Sequence, residues 1–285
     1  MMNRTETITS VHNPRVKRWA SLRERKGRKQ EGCFLVEGIH LVQEALASGA
    51  PVEAVLCDEA RDIPTELMPY ADAPRPAAAG GGQPEWIGVT DAIIRKLSET
   101  ETPQPVIAVV RKPALEPGTL FGADMPLVVA VDGVQDPGNL GTIIRSADAV
   151  GATGVVLGRG TVDVYNAKTV RSTMGSIFHL PVVEADLLSL LPEAKAHGVR
   201  LASTSLQASH SCYGYDYRQP LWLVVGNEGQ GVSPAVQALV DDTLIIPMRG
   251  QAESLNVAMA TTVLLYEAMR QRHYTIQNDG CECEL

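Results

Sequence analysis

Paired cysteines, long apolar runs and the common catalytic signatures are all missing from this 285-residue chain. No run of 18 or more apolar residues occurs, so no transmembrane helix is expected. The first residues, MMNRTETITS, contain no apolar h-region, and no secretory signal is expected. Five cysteines (Cys33, Cys57, Cys212, Cys281 and Cys283) are scattered without any C-x-x-C spacing, which argues against a zinc knuckle or a thioredoxin-type site. Cys281 and Cys283 lie in a polar tail, read either as a metal-binding pair or as a frayed terminus. A reducing cytoplasm fits this cysteine usage. Without a G-x-S-x-G elbow, Ser–His–Asp acyl transfer is disfavoured. His179 and His210 have no nearby partners in sequence, and His179 follows Phe178 in an apolar stretch, as a structural histidine would. Dinucleotide binding needs G-x-G-x-x-G just after a first strand. Gly133 to Gly141 lacks that spacing and Gly158-Arg-Gly160 matches it only in part, so hydride transfer and the usual class of adenosylmethionine enzyme are disfavoured.

What is present is a globular composition with segregated charge. A hydrophobic content of 45% can fill two cores, and two domains are expected. The net charge of −8 argues at first against a polyanion. Residues 1–31, however, carry nine Lys or Arg (Arg4, Arg15, Lys17, Arg18, Arg23, Arg25, Lys26, Arg28, Lys29) against three Glu, a net +6 that leaves −14 on the remainder. Such segregation reads as a basic arm, residues 1–30, on an acidic body, or as a solvated N-terminal helix.

After the arm, strand and helix patterns alternate. Phe34–Val36, Val52–Cys57, Trp86–Val89 and Val106–Val110 read as strands, with helices at Ile39–Ala47 and Asp91–Leu97, giving a small α/β domain over 31–111. The Pro/Ala/Gly-rich stretch 71–84 reads as a flexible surface loop, and 112–126 as a linker. Leu127–Val131 is a near-continuous apolar run of the kind buried in a parallel sheet. Further strands are expected at Val155–Leu157, Leu180–Val183, Leu201–Thr204, Leu221–Val225 and Thr243–Ile246. Helices are expected around Thr142–Val150, Ala167–Met174, Leu187–His197, Pro234–Leu239 and Ser254–Arg272. This is the pattern of a doubly wound domain over 127–273, followed by a polar tail, 274–285.

Three loops of that domain carry polar chemistry. The first, Asp136-Pro-Gly-Asn-Leu-Gly-Thr-Ile-Ile-Arg145, offers Asn139 as a helix N-cap or a site residue. Its Arg145 lies nearly two turns down the following helix, as a surface ion-pair residue or as a site residue. The second, Gly226-Asn-Glu-Gly-Gln-Gly231, has three glycines in six residues, which bring backbone close to a ligand or to another segment. Glu228 there repels anions and no Walker-type Lys follows, so an adenine edge, a ribose hydroxyl or a cationic centre fits better than a phosphate. The third, Ile246-Pro-Met-Arg-Gly-Gln-Ala-Glu-Ser-Leu-Asn-Val-Ala258, places Ser254, as N-cap or site residue, and Asn256 at the start of the last helix. Leu255, Ala258, Thr262 and Leu265 read as that helix's buried stripe.

As a set, the N-L-G-x-x-x-R, G-N-E-G-x-G and I-P-M-x-G-x-x-x-S-L-N-V-A motifs resemble those of the SpoU (TrmH) family of RNA ribose 2′-O-methyltransferases, over roughly residues 125–272. Val164–Pro181 is similar to the family's central region, and residues 31–111 more loosely resemble its frequent RNA-binding domain, with Gly80–Gly82 as an insertion. The resemblance implies an α/β fold, a parallel-sheet SPOUT domain with a C-terminal deep trefoil knot behind a small α/β RNA-binding domain. It further implies a homodimer that uses S-adenosylmethionine on structured RNA; the chain is expected to be cytoplasmic and to need no metal. Ribosomal 23S RNA is the first expectation; tRNA methylation and a catalytically silent RNA-binding or ribosome-assembly protein are the alternatives. By the same resemblance Arg145, Asn139, Glu228 and Ser254 are catalytic, and Val225, Gly226, Asn227, Gly229, Ile246, Met248, Leu255 and Asn256 hold the cofactor. Arg15, Lys17, Arg18, Arg23, Arg25 and Lys26 of the basic arm are expected to bind the RNA.

Overall fold

The computed structural model describes residues 6–72, 83–205, 208 and 210–274. The Cys281/Cys283 tail, most of the Pro/Ala/Gly-rich loop with Gly80–Gly82, and Arg4 lie outside the described residues. The chain forms two compact units. One holds Met1–Leu115, Asp136–Arg145 and Val162–Leu180; the other holds Glu116–Gln135, Ser146–Thr161 and Pro181–Leu285.

The elements of the N-terminal half are β1 (Glu6–Ile8), α1 (Pro14–Ser21), α2 (Arg25–Glu31), β2 (Cys33–Glu37), α3 (Ile39–Ala47), β3 (Val52–Asp58), α4 (Met68–Asp72), β4 (Glu85–Val89), α5 (Asp91–Leu97) and β5 (Val106–Arg111). Their strands make a mixed sheet of order β1-β4-β3-β5-β2, with β5 antiparallel to both neighbours. Alternation along the strands separates two cores. Leu35, Leu56, Ile87 and Val109 face one way, against Val16 and Trp19 of α1 and Ile93 and Ile94 of α5. Phe34, Val36, Val55 and Val110 face the other way, against Leu41, Val42 and Ala45 of α3.

The stretch expected as an arm is therefore part of this fold. The Asn13 side chain caps α1 by accepting the Arg15 amide at 2.8 Å, Pro14 occupies the first helical position, and Val16 and Trp19 bury one face. Three residues, Glu6–Ile8, add a parallel edge strand to β4. Charge on the outward faces of α1 and α2 hides this apolar minority in the sequence.

The C-terminal half continues with β6 (Leu127–Asp132), α6 (Pro137–Ala149), β7 (Gly154–Leu157), α7 (Ala167–Thr173), β8 (Val182–Glu184), α8 (Leu187–Ala196), β9 (Arg200–Thr204), β10 (His210–Ser211), β11 (Leu221–Gly226), α9 (Pro234–Gln237), β12 (Asp242–Ile245) and α10 (Val257–His273). The strands form a seven-stranded sheet of order β10-β12-β9-β11-β6-β7-β8, in which every pairing is parallel. Residues 221–226 of β11 and 127–131 of β6 are buried throughout, which explains their unbroken apolar runs. The chain runs from β6 to one edge through β7 and β8, then returns to the other side of β6. The carboxyl ends of β6 and β11 thus flank a topological switch point, where such sheets open a crevice.

Two expectations change here. The segment 112–126 is not a plain linker: Pro117–Phe121 forms a 3₁₀ turn, Leu120 is buried, and Phe121 stacks on Trp222 with ring centroids 5.6 Å apart. The stripe of α10 runs through Ala258, Thr261, Leu264, Leu265 and Ala268, whereas Leu255 precedes the helix and is exposed. Thr262 is half-buried and shares a 2.7 Å hydrogen bond with Ser146.

Candidate active site

Each of the three loops follows the carboxyl end of a parallel strand, and the first two are tied down by short-range polar interactions. After β6, Asp132 accepts the Ser233 amide at 2.7 Å, and the carbonyl of Gly133 accepts the Asn227 side-chain amide at 2.9 Å. The Gln135 amide donates to Glu228 at 3.1 Å. The second loop closes on itself: Asn227 and Gly231 exchange backbone hydrogen bonds of 2.9 Å in both directions. The Asn227 carboxamide oxygen also accepts the amides of Gly229 (2.9 Å) and Gln230 (3.1 Å). A Cβ on Gly226 would stand 2.0 Å from the Gly231 carbonyl carbon, so this glycine is required by a second backbone segment. Gly229 is different. A Cβ there would meet nothing nearer than the Asn227 side-chain oxygen at 3.7 Å.

The helix caps fall two or three residues from where the sequence placed them. Asp136, not Asn139, caps α6: its carbonyl accepts the Leu140 amide at 3.1 Å and its carboxylate accepts the Asn139 amide at 2.9 Å. That amide hydrogen bond, with Lys168 at 3.2 Å, holds the Asp136 carboxyl below its ordinary range. Asn256, not Ser254, caps α10, accepting the amides of Ala258 (2.9 Å) and Met259 (3.3 Å). Ser254 is exposed in the preceding loop.

The second and third loops line one cleft of about 630 Å³, within the size range of small-molecule sites. Of the residues expected to hold a cofactor, Val225, Gly226, Asn227, Gly229, Ile246, Met248 and Leu255 line it, together with Glu228 and Ser254. Asn256 does not line the cleft; it starts the helix that does. The walls are apolar at Val225, Leu244, Ile245 and Ile246 and polar at Thr204, Ser205, Asn227 and Gln237, with Glu228 the formal charge among the lining residues. Thr204 and Ser205, at the end of β9, and Ala260 and Thr261, on α10, were missed by the motif reading. The first pair was discoverable, because every carboxyl end of a parallel strand opens on the same side.

Asn139 and Arg145 lie on the part of α6 that belongs to the other unit. Arg145 is exposed and has no hydrogen-bond or ion-pair partner among the described residues. Gly141 serves packing: a Cβ there would stand 2.4 Å from the Ser172 Cβ of α7.

The cations expected to meet RNA divide. Arg15 pairs with Glu6 at 2.9 Å and with Glu85, and Arg18 with Glu31 at 2.6 Å and Glu53 at 3.2 Å, so neither is an uncommitted charge. Arg23 donates to the Lys96 carbonyl at 3.1 Å. Lys17, Arg25 and Lys26 are exposed, as is Lys29, and none has an ion pair among the described residues. Arg28 is buried. Also among the described residues, no group of three or more His, Cys, Asp or Glu could hold a metal ion. No helix there is long and apolar enough to cross a membrane.

Comparison with known proteins decides the family. Residues 126–266 match the model of the SpoU rRNA Methylase family, and residues 13–108 match the MRM3-like substrate binding domain. The chain is 42% identical over 259 residues to the 23S rRNA (guanosine(2553)-2′-O)-methyltransferase RlmP of Bacillus subtilis, covering 91% of this chain and 97% of that protein. The chain belongs to the SpoU rRNA methylase family. A second SpoU relative, the 23S rRNA (uridine(2479)-2′-O)-methyltransferase of Streptomyces viridochromogenes, is 36% identical over 273 residues, which is 93% of this chain and 92% of that protein. The crystal structure of the SpoU methyltransferase AviRb from Streptomyces viridochromogenes, in complex with the cofactor AdoMet, superposes with a TM-score of 0.82 at 35% identity, covering 91% of this chain and 98% of that one. The substrate-binding match begins at residue 13, so it takes in α1 and α2, in keeping with their place in the folded unit.

Proposed function

We propose that this protein methylates a ribose 2′-hydroxyl of 23S rRNA, with S-adenosylmethionine as methyl donor. The observation that carries the reading is the convergence of the second and third loops on one cleft at the carboxyl ends of parallel strands, in a chain matched almost end to end by SpoU relatives. The cleft fits the donor. Its apolar walls suit an adenine ring, its Thr, Ser and Asn groups suit ribose and amino-acid polar atoms, and Gly229 leaves the loop surface open. Backbone groups around Val225, Gly226, Ile246, Met248 and Leu255 would hold it, and the charge of Glu228 suits a cationic ligand. Bound there, the sulfonium supplies an electrophilic methyl group.

The protein's own residues do the rest. Methyl transfer needs the attacking oxygen in line with the methyl carbon at about 3 Å, in a site that excludes water. A guanidinium keeps its proton in proteins, so Arg145 acts as a donor. It holds the phosphate beside the target ribose and stabilises negative charge developing on the 2′-oxygen. The proton leaves to phosphate or to water. Glu228 and Ser254 line the cleft that takes the donor, Asn139 lies on the same helix as Arg145, and Asn256 fixes the start of the helix behind the cleft. Lys17, Arg25, Lys26 and Lys29 hold the RNA backbone. The C-terminal trefoil knot and the homodimer belong to the same proposal; the dimer is checked by sedimentation at twice the chain mass.

Two measurements test the function. Calorimetry with S-adenosylmethionine should give one site per chain; absence of binding would turn the reading to a silent RNA-binding protein. Mapping of 2′-O-methylation in a deletion strain should find one position of 23S rRNA unmodified. A loss confined to tRNA would overturn the rRNA assignment.

A further inference from the structure

Arg28 is a basic residue of the N-terminal helices that no RNA can reach. Its side chain is 4% exposed and its partner, Asp163, 9%. Nε and Nη2 both donate to one oxygen of Asp163, at 3.0 and 2.7 Å, and Nη1 donates to the carbonyls of Leu22 (2.9 Å) and Arg23 (2.7 Å). Asp163 in turn builds the entry to α7. Its other carboxylate oxygen accepts the Tyr165 amide at 3.0 Å, and its carbonyl accepts the amide of Asn166, the N-cap of α7, at 3.0 Å.

From α7 the interactions continue to α6. Lys168 reaches Asp136, the cap of α6, at 3.2 Å. One turn further along, Gly141 lets α6 lie against Thr169 and Ser172 so closely that a Cβ would be 2.9 Å from the Thr169 carbonyl oxygen. Arg145 stands one turn beyond Gly141 on the same helix face. All of these residues fall in one compact unit.

We propose that Arg28 is a positioning residue for methyl transfer: through Asp163 and α7 it fixes the rotation and height of α6, and so the guanidinium of Arg145, from the helices that hold the RNA. The proposal rests on the role given to Arg145 above. A buried ion pair is a weak source of stability compared with apolar residues of the same shape; its fork geometry fixes where α7 begins.

The test uses full-length protein, unmodified 23S rRNA transcribed in vitro and tritium-labelled S-adenosylmethionine. Arg28→Met should lower kcat by about tenfold to a hundredfold, as expected for misplacement by a fraction of an ångström to one ångström. The dissociation constants for S-adenosylmethionine and for RNA should stay within about twofold. Asp163→Asn, which keeps the shape of the side chain, should do the same, and the double variant should be no slower than the slower single one. Arg28→Lys, with charge but no fork, should fall between. Folded Arg28→Met or Asp163→Asn with unchanged kcat overturns the proposal, as does a loss that resides in RNA affinity alone. If Arg28→Met does not fold, Asp163→Asn decides. Arg145→Ala is run alongside. If it retains turnover, the role of Arg145 fails and the proposal with it. If it is inactive while the Arg28 and Asp163 variants keep full kcat, the proposal alone fails.

Discussion

Arg145 combines exposure with an absence of protein partners among the described residues, and its proposed task makes its geometry testable. Arg145→Ala should reduce methyl transfer by at least about a hundredfold, the scale of losing one preorganised donor, while S-adenosylmethionine affinity measured by calorimetry changes less than about threefold. Arg145→Lys keeps the charge but not the planar fork; full activity in that variant would sink the geometric argument. Asn256 carries a different kind of prediction. It caps α10 through two amides, so Asn256→Ala should cost about 1 kcal/mol of stability in urea unfolding. Loss of cofactor binding without loss of stability would mean that its side chain serves the cleft directly. Ser254→Ala, outside the helix, should leave stability unchanged and act on turnover alone.

At the scale of elements, α1 and α2 separate two uses of positive charge. Arg15 and Arg18 hold carboxylates of Glu6, Glu85, Glu31 and Glu53, and Arg28 is buried. Lys17, Arg25, Lys26 and Lys29 remain outside these pairs. Changing those four to Ser should weaken RNA binding and reduce the slope of log affinity against log salt by up to about 3.6, at about 0.7–0.9 for each phosphate left without its cation. Changing Arg15 or Arg18 should lower the unfolding midpoint and leave the slope in place. An unchanged slope in the fourfold variant would remove α1 and α2 from the RNA interface. The same elements show the limits of reading by charge. A net +6 over residues 1–31 looks like an arm, yet Val16, Trp19 and Leu22 at helical spacing are enough to anchor it.

At the scale of the whole molecule, acid sensitivity follows from carboxylates that fold into better environments than water. A hydrogen bond from Arg200 holds the Asp242 carboxyl below its ordinary value, with Tyr215 assisting, and Arg270 does the same for Glu267. Asp136 is shifted the same way by the Asn139 amide. A depressed folded-state value means that the unfolded chain binds more protons in acid. The stabilisation is complete above the unfolded values of about 4 and is lost as pH falls through the folded ones. The urea midpoint should therefore drop steadily below about pH 4, and Asp242→Asn should flatten part of that decline. A midpoint independent of pH in that range would refute the assignment.

Most strands and helices of the two sheets were legible because burial writes a simple pattern. Leu127–Asp132 and Leu221–Gly226 are apolar almost without a break since both faces are covered, and Ile39–Ala47 and Asp91–Leu97 keep one face apolar. The motif residues of the second and third loops were legible as well, being polar and glycine-rich where a parallel sheet ends. The three-residue strand Glu6–Ile8 was not, because so short an edge has no period of its own. Caps were misplaced by two or three residues, since Asn, Asp and Ser are interchangeable in sequence and only backbone phase selects Asp136 over Asn139 and Asn256 over Ser254. The sequence by itself determined which segments are strands, helices and chemical loops, because those depend on local periodicity and residue type. Tertiary structure alone decided that Gly226 yields to a backbone crossing, that Gly141 lets two helices meet, and which basic residues of α1 and α2 are held in ion pairs. Those choices depend on which atoms meet across the fold, and no spacing along the chain encodes that distance.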